Sequence, residues 1–162
     1  MYKKHGTNQK ALEMKQLKFS DEMAIAIEEC RKTQTRRVID PQPYIDGVGN
    51  WVWNGVNFGQ NHKPHIQSMA SSLPWRVLGT NKTGYHPQYG IVGEVNNGVR
   101  ITHIRVERLH EISEDDAKAE GVESIEEFKT IWQSFYEGNK DKDWEIDPYV
   151  WVIEFEKNTE NK

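Results

Sequence analysis

The chain has a single cysteine, Cys30, which excludes an intrachain disulfide framework and fits a reducing cytoplasm. It has no excess of positive charge. Its 21 lysines and arginines are outnumbered by 25 aspartates and glutamates, for a formal net charge of −4. That balance argues against a general electrostatic grip on DNA and limits any nucleic-acid contact to a local one. No apolar run is long enough to span a bilayer, so no membrane partner is expected. Met1-Tyr2-Lys3-Lys4-His5-Gly6 is followed by no apolar core, so a signal peptide is not expected either. A metal-ligand cluster is also missing. His62-Lys63-Pro64-His65 comes nearest, but no cysteine or acid lies close and Pro64 breaks the helix that would align the rings; it reads as a surface loop. No metal and no organic cofactor is expected. At 162 residues the chain suits one domain with a real core.

What is present is a basic run. Arg31-Lys32-Thr33-Gln34-Thr35-Arg36-Arg37 packs four cations and two hydroxyls into seven residues. Cations attract phosphate, and a hydroxyl beside a lysine can be made nucleophilic. The run therefore suits nucleic-acid binding, acyl transfer or both; a solvated basic turn is the alternative.

The surroundings of this run can be read from capping and periodicity. Residues 1–16 are polar and lysine-rich and read as a flexible tail. Ser20, followed by Asp21 and Glu22, reads as a helix start, and Met23, Ile27 and Cys30 fall on one face. Val38-Ile39 reads as a short strand ended by Pro41. Residues 44–90 carry few signals beyond the alternation of Trp51 and Trp53 and a turn at Asn54-Gly55. Val99 to Leu109 reads as a strand whose apolar face changes between Ile101 and Ile104, which predicts a bulge or a sharply curved strand, and Asn97-Gly98 before it is a hairpin signal. Ser113 starts a short helix that Gly121 stops. Ser124 with Glu127 reads as a capping box, opening a helix with a core stripe of Ile125, Phe128, Ile131 or Trp132, and Phe135, and Gly138 as its stop. Tyr149 to Phe155 is a nearly continuous apolar run suited to a central strand, and residues 157–162 read as a second tail. Strands do not alternate regularly with long helices. The pattern predicts an α+β domain over residues 17–156, a small curved sheet or β-barrel with short helices packed at its ends.

Four blocks, in order, resemble the phage and prophage ASCH-domain proteins of the PUA-like superfamily, RNA-associated β-barrels. They are Arg31 to Ile39 with Pro41-Gln42-Pro43; Tyr89-Gly90-Ile91-Val92-Gly93-Glu94; Ile101 to Leu109 with Ile112 to Ala117 and Ala119-Glu120-Gly121; and Trp144 with Asp147 to Phe155. The resemblance implies a PUA-like barrel and, as partner, RNA or a modified nucleoside, in the cytoplasm of a bacterium or a phage-infected one. Compact bacterial members are amidohydrolases that remove acetyl from N(4)-acetylcytidine. Carried over by motif, their catalytic set falls on Lys32, Thr35 and Glu120: Thr35 attacks the amide carbonyl, Lys32 is the base, and Glu120 shuttles protons or holds substrate. Arg31, Arg36 and Arg37 then contact ligand or phosphate. A non-catalytic RNA-binding module and a phage accessory protein are the alternatives.

The chemistry sets its own conditions. Like charge from the three arginines would help Lys32 to release its proton. Positions 32 and 35 of an ideal strand point to opposite faces, so a turn or helix end must intervene for Lys32 and Thr35 to converge.

Overall fold

In a computed structural model of the chain, residues 15–53, 56–59 and 88–159 are described. Helix α1 (Asp21–Glu28) begins under Ser20, whose hydroxyl accepts the Met23 N–H at 3.2 Å, with Asp21 and Glu22 at the positive end of the dipole. The helix ends before Cys30, which takes a left-handed φ of 58°. The N–H groups of Arg31 and Lys32 turn back onto the Ala26 carbonyl at 2.8 and 3.1 Å. Cys30 is therefore exposed, not on the buried face with Ile27 as its spacing predicts.

Strand β1 (Gln34–Val38) follows, and so begins within the basic run, four residues earlier than the expected Val38-Ile39 strand. A small three-stranded sheet is made by β2 (Tyr44–Ile45), β3 (Trp51–Trp53) and β4 (Val56–Gly59). The expected Asn54-Gly55 turn and the His62 to His65 loop lie outside the described residues, as does the tail before Lys15. Strands β5 (Val95–Asn96), β6 (Val99–Arg108) and β7 (Tyr149–Lys157) join β1 in a curled antiparallel sheet of order β1-β7-β6-β5, half of a barrel. The register of β6 against β7 shifts between Ile101 and His103, the bulge that the change of apolar face predicts.

The long apolar run becomes the central strand β7 because both of its faces are covered. Trp151, Ile153 and Phe155 pack with Leu17, Ile39, Trp53 and Ile101 on one side. Val150 and Val152 pack on the other with Leu109, Ala117, Phe128, Trp132 and Trp144. The second cluster is built by α2 (Glu114–Ala119) and α3 (Ile125–Tyr136). The reciprocal capping box lies at α2, between Ser113 and Asp116. At α3 only half of the expected box forms: the Ser124 hydroxyl accepts the Glu127 N–H, while the Glu127 carboxylate reaches past it to the Glu123 N–H at 2.9 Å.

Two other expectations change. Phe135 is 59% exposed and Tyr136 takes its place beside Trp132 at 4.8 Å, because the helical rotation carries position 135 away from the sheet. Strand β7 runs on to Lys157, whose ammonium meets Glu28 at 2.5 Å. No helix among the described residues is long and apolar enough to cross a membrane.

Candidate functional site

Strand β1 is an edge strand, and this decides what its side chains can do. The Phe155 N–H donates to the Thr33 carbonyl at 2.9 Å and the Ile39 N–H to the Tyr149 carbonyl at 3.1 Å. Odd-numbered residues of β1 thus bond β7, and the main chain of Gln34 and Arg36 faces the open edge.

Lys32 lies just before the strand. Its ammonium folds back at that edge and donates to the Gln34 carbonyl at 2.8 Å, the Glu120 carbonyl at 3.0 Å and Glu120 Oε2 at 2.9 Å. Three acceptors match the three N–H bonds of an ammonium. The pair is sealed from water, with side chains only 2% and 5% exposed. Glu120 arrives as the C-cap of α2, and the next residue, Gly121, turns the chain at φ 96°. A Cβ at Gly121 would sit 3.2 Å from the Lys32 Cβ, so glycine permits both the turn and the close approach.

Of the three arginines, Arg36 alone shares a carboxylate with Lys32, its Nε lying 3.9 Å from Glu120 Oε1. Arg31 turns outward onto Glu29 at 2.6 Å. Arg36, with a fully buried side chain, is committed to Glu107 and Asp116, both at 2.9 Å. Arg105 joins the same two carboxylates at 2.6 and 2.7 Å and reaches Glu154 at 3.0 Å. Burial opposes ionisation of Asp116, but the Ser113 N–H and hydroxyl, the Gln34 amide and the Arg36 charge outweigh it and hold the carboxyl at about 2. Arg37 donates to the Thr35 hydroxyl at 3.1 Å and the Lys18 carbonyl at 2.7 Å, and lies over the Phe19 ring. The basic run is thus distributed among separate partners and does not present a single cationic face.

Two cavities meet at this edge. One, of about 310 Å³, is lined by Thr35, Arg36, Arg37 and Glu120 and walled by aromatic rings of α3, among them Trp132 and Tyr136. The other, of about 340 Å³, is lined by Lys32, Glu120 and Gly121. Thr35 and Glu120 therefore share a cavity. Lys32 touches Glu120 directly but lines the neighbouring one. The Lys32 ammonium and the Thr35 hydroxyl are not hydrogen-bonded to each other; Glu120 is what links them, touching Lys32 and lining the Thr35 cavity. Glu120 Oε1 and Arg36 Nε are buried, 3.9 Å apart, and neither has a hydrogen-bond partner among the described residues.

Sequence reasoning missed several members of this site. Asp116, Glu107 and Arg105 were not singled out; the Ser113-to-Asp116 spacing carried a signal for the first, and the other two are separated from β1 by the whole middle of the chain. The α3 stripe read as core also walls the cavities, Phe128 and Trp132 serving both purposes. Among the described residues no group of three His, Cys, Asp or Glu side chains is placed to hold a metal ion. Comparisons with protein-family models, with curated proteins and with solved structures each find no match to this chain.

Proposed function

We propose that the chain is an ASCH-type protein with a PUA-like barrel, that it binds a nucleoside or an exposed RNA base at the Thr35 cavity, and that it hydrolyses an acyl amide on that base, as in N(4)-acetylcytidine. The observation that carries this reading is Glu120: held by Lys32, it lines the same aromatic-walled cavity as Thr35 while its Oε1 stays unpartnered. The cavity, about 310 Å³, is at the small end of ligand sites, and its rings suit stacking on a base.

Thr35 Oγ1 accepts from Arg37, which leaves its own O–H free to donate. In the reaction this oxygen bonds to the amide carbonyl carbon, and its proton leaves for the Glu120–Lys32 pair. The carbon–nitrogen bond then breaks and the nitrogen takes up the proton, releasing cytidine. Water cleaves the threonyl ester to acetate and restores Thr35. Glu120 Oε1, which makes no hydrogen bond, takes the Thr35 proton and passes it to the leaving nitrogen; Lys32, an ammonium with three N–H bonds committed, holds Glu120 in place and serves as base itself only after giving up one of those protons.

The saturation of Lys32 favours a second reading. An ammonium with every N–H committed is also what a purely structural ion pair needs, as in a non-catalytic RNA-binding module. Acetate release from N(4)-acetylcytidine by the purified protein separates the two. Thr35→Ala, Lys32→Ala and Glu120→Gln should each lose about as much rate as the triple variant, because residues acting as a unit are non-additive. A wild-type protein that binds neither nucleosides nor short RNAs would refute both readings. Turnover unchanged in Thr35→Ala would refute the assigned nucleophile.

A further inference from the structure

The second cavity has no role in the reaction as written. It shares Ser20, Met23, Glu120, Phe128, Ile131 and Phe135 with the first, so the two lie side by side along α1 and α3. If a base stacks in the first cavity with its amide carbonyl at Thr35, the acyl chain continues past Glu120. An acetyl methyl would leave most of the second cavity's roughly 340 Å³ unfilled.

The charges there are uneven. Arg31 is tied to Glu29 at 2.6 Å and Lys32 to Glu120 at 2.9 Å. Glu22 and Glu127 also line the cavity, and neither has an ion-pair partner among the described residues. The Glu127 Oε2 accepts the Glu123 N–H, which leaves its other oxygen for a ligand. Ser20 Oγ accepts the Met23 N–H, so its proton is available too. The Glu120 side chain, 5% exposed and with Oε1 unpartnered, lies where the cavities meet.

We propose that this second cavity is an acyl subsite, and that it selects acyl chains ending in a primary amine over neutral chains of the same length and over chains ending in a carboxylate. The inference rests on the amide-hydrolase reading and specifies its substrate. An ammonium would meet the carboxylates of Glu22 and Glu127; a carboxylate would be repelled by both, and the two cations nearby each already face a carboxylate, Lys32 that of Glu120 and Arg31 that of Glu29, which weakens what they offer it.

The test is a series of N(4)-acylcytidines matched in main-chain length: β-alanyl (cationic), butanoyl (neutral) and succinyl (anionic), with acetyl as reference. Affinities are measured with Thr35→Ala to prevent turnover, and kcat/KM with the wild-type protein. The expected order is β-alanyl, butanoyl, succinyl, in steps of about 3- to 10-fold, the range for one or two partly exposed ion pairs. Added salt should shrink the steps. In Glu22→Gln/Glu127→Gln the ratio of β-alanyl to butanoyl should fall close to one. A ratio within a single protein does not depend on how much of it is folded. Equal binding of the three long chains, or a ratio that survives the double substitution, would overturn the subsite while leaving the hydrolase reading intact. Failure of every ligand, acetylcytidine included, would overturn the reading on which the subsite rests.

Discussion

Replacing Lys32 by methionine keeps its length and volume but removes the charge from a buried ion pair of the site, whose side chains are 2% and 5% exposed. Lost with it are hydrogen bonds to the Gln34 carbonyl, the Glu120 carbonyl and Glu120 Oε2, at 2.8, 3.0 and 2.9 Å. The carboxylate left behind is 5% exposed, its other oxygen makes no hydrogen bond, and the remaining cation, Arg36, stands 3.9 Å away, so water cannot replace the ammonium without opening the site. Removing one partner of a buried pair costs roughly 3–5 kcal/mol, because an uncompensated charge stays buried. For a domain of this size that is a fall in Tm of roughly 6–20 °C. Lys32→Met/Glu120→Gln removes the stranded charge as well, and should recover about 1–3 kcal/mol relative to the sum of the two single substitutions, the coupling expected of residues in contact. Urea unfolding of the four proteins at neutral pH gives both numbers. A Lys32→Met cost below about 1 kcal/mol, typical of an exposed pair, or strict additivity of the two substitutions, would refute the buried coupling.

The acid limb of stability should carry the signature of Asp116, whose folded value of about 2 lies below the ordinary 3.8. A depressed carboxyl contributes stability that is complete above its unfolded value and is lost as pH falls through the folded one. The window therefore lies between about pH 4 and pH 2, and for a carboxyl only partly shielded from water the contribution is about 1–2 kcal/mol. Urea midpoints of the wild-type protein should fall more steeply through that window than those of Asp116→Asn; parallel curves would contradict the assignment. Gly121→Ala and Gly138→Ala both place a side chain at positive φ, 96° and 79°, which costs about 1–2 kcal/mol. Only at Gly121 does the new Cβ meet a neighbour, Lys32 at 3.2 Å, so thermal unfolding should show the Gly121 variant as the less stable by about a further 1 kcal/mol.

Much of the fold was legible in the sequence because its signals are local. A cap and the N–H it accepts lie three residues apart, as with Ser20 and Met23 or Ser124 and Glu127. The run from Tyr149 to Ile153 is apolar on both faces, which only a strand covered on both sides accommodates, and the change of face in β6 marks its bulge. Tertiary structure decided which groups meet. Lys32 and Glu120 are 88 positions apart, and nothing near either residue specifies that α2 ends against the open edge of β1. The arginines show the same limit. Adjacent cations in the sequence suggest one basic face, but strand alternation sends Arg36 to Glu107 and Asp116, and Arg37 to Thr35 and Lys18. Phe135 fits the α3 stripe by spacing, yet Tyr136 is the residue that packs beside Trp132. Local pattern fixes which elements form, since capping and alternation act over a few residues. The partners of a charge depend on sheet order and helix placement, which are properties of the whole packed chain.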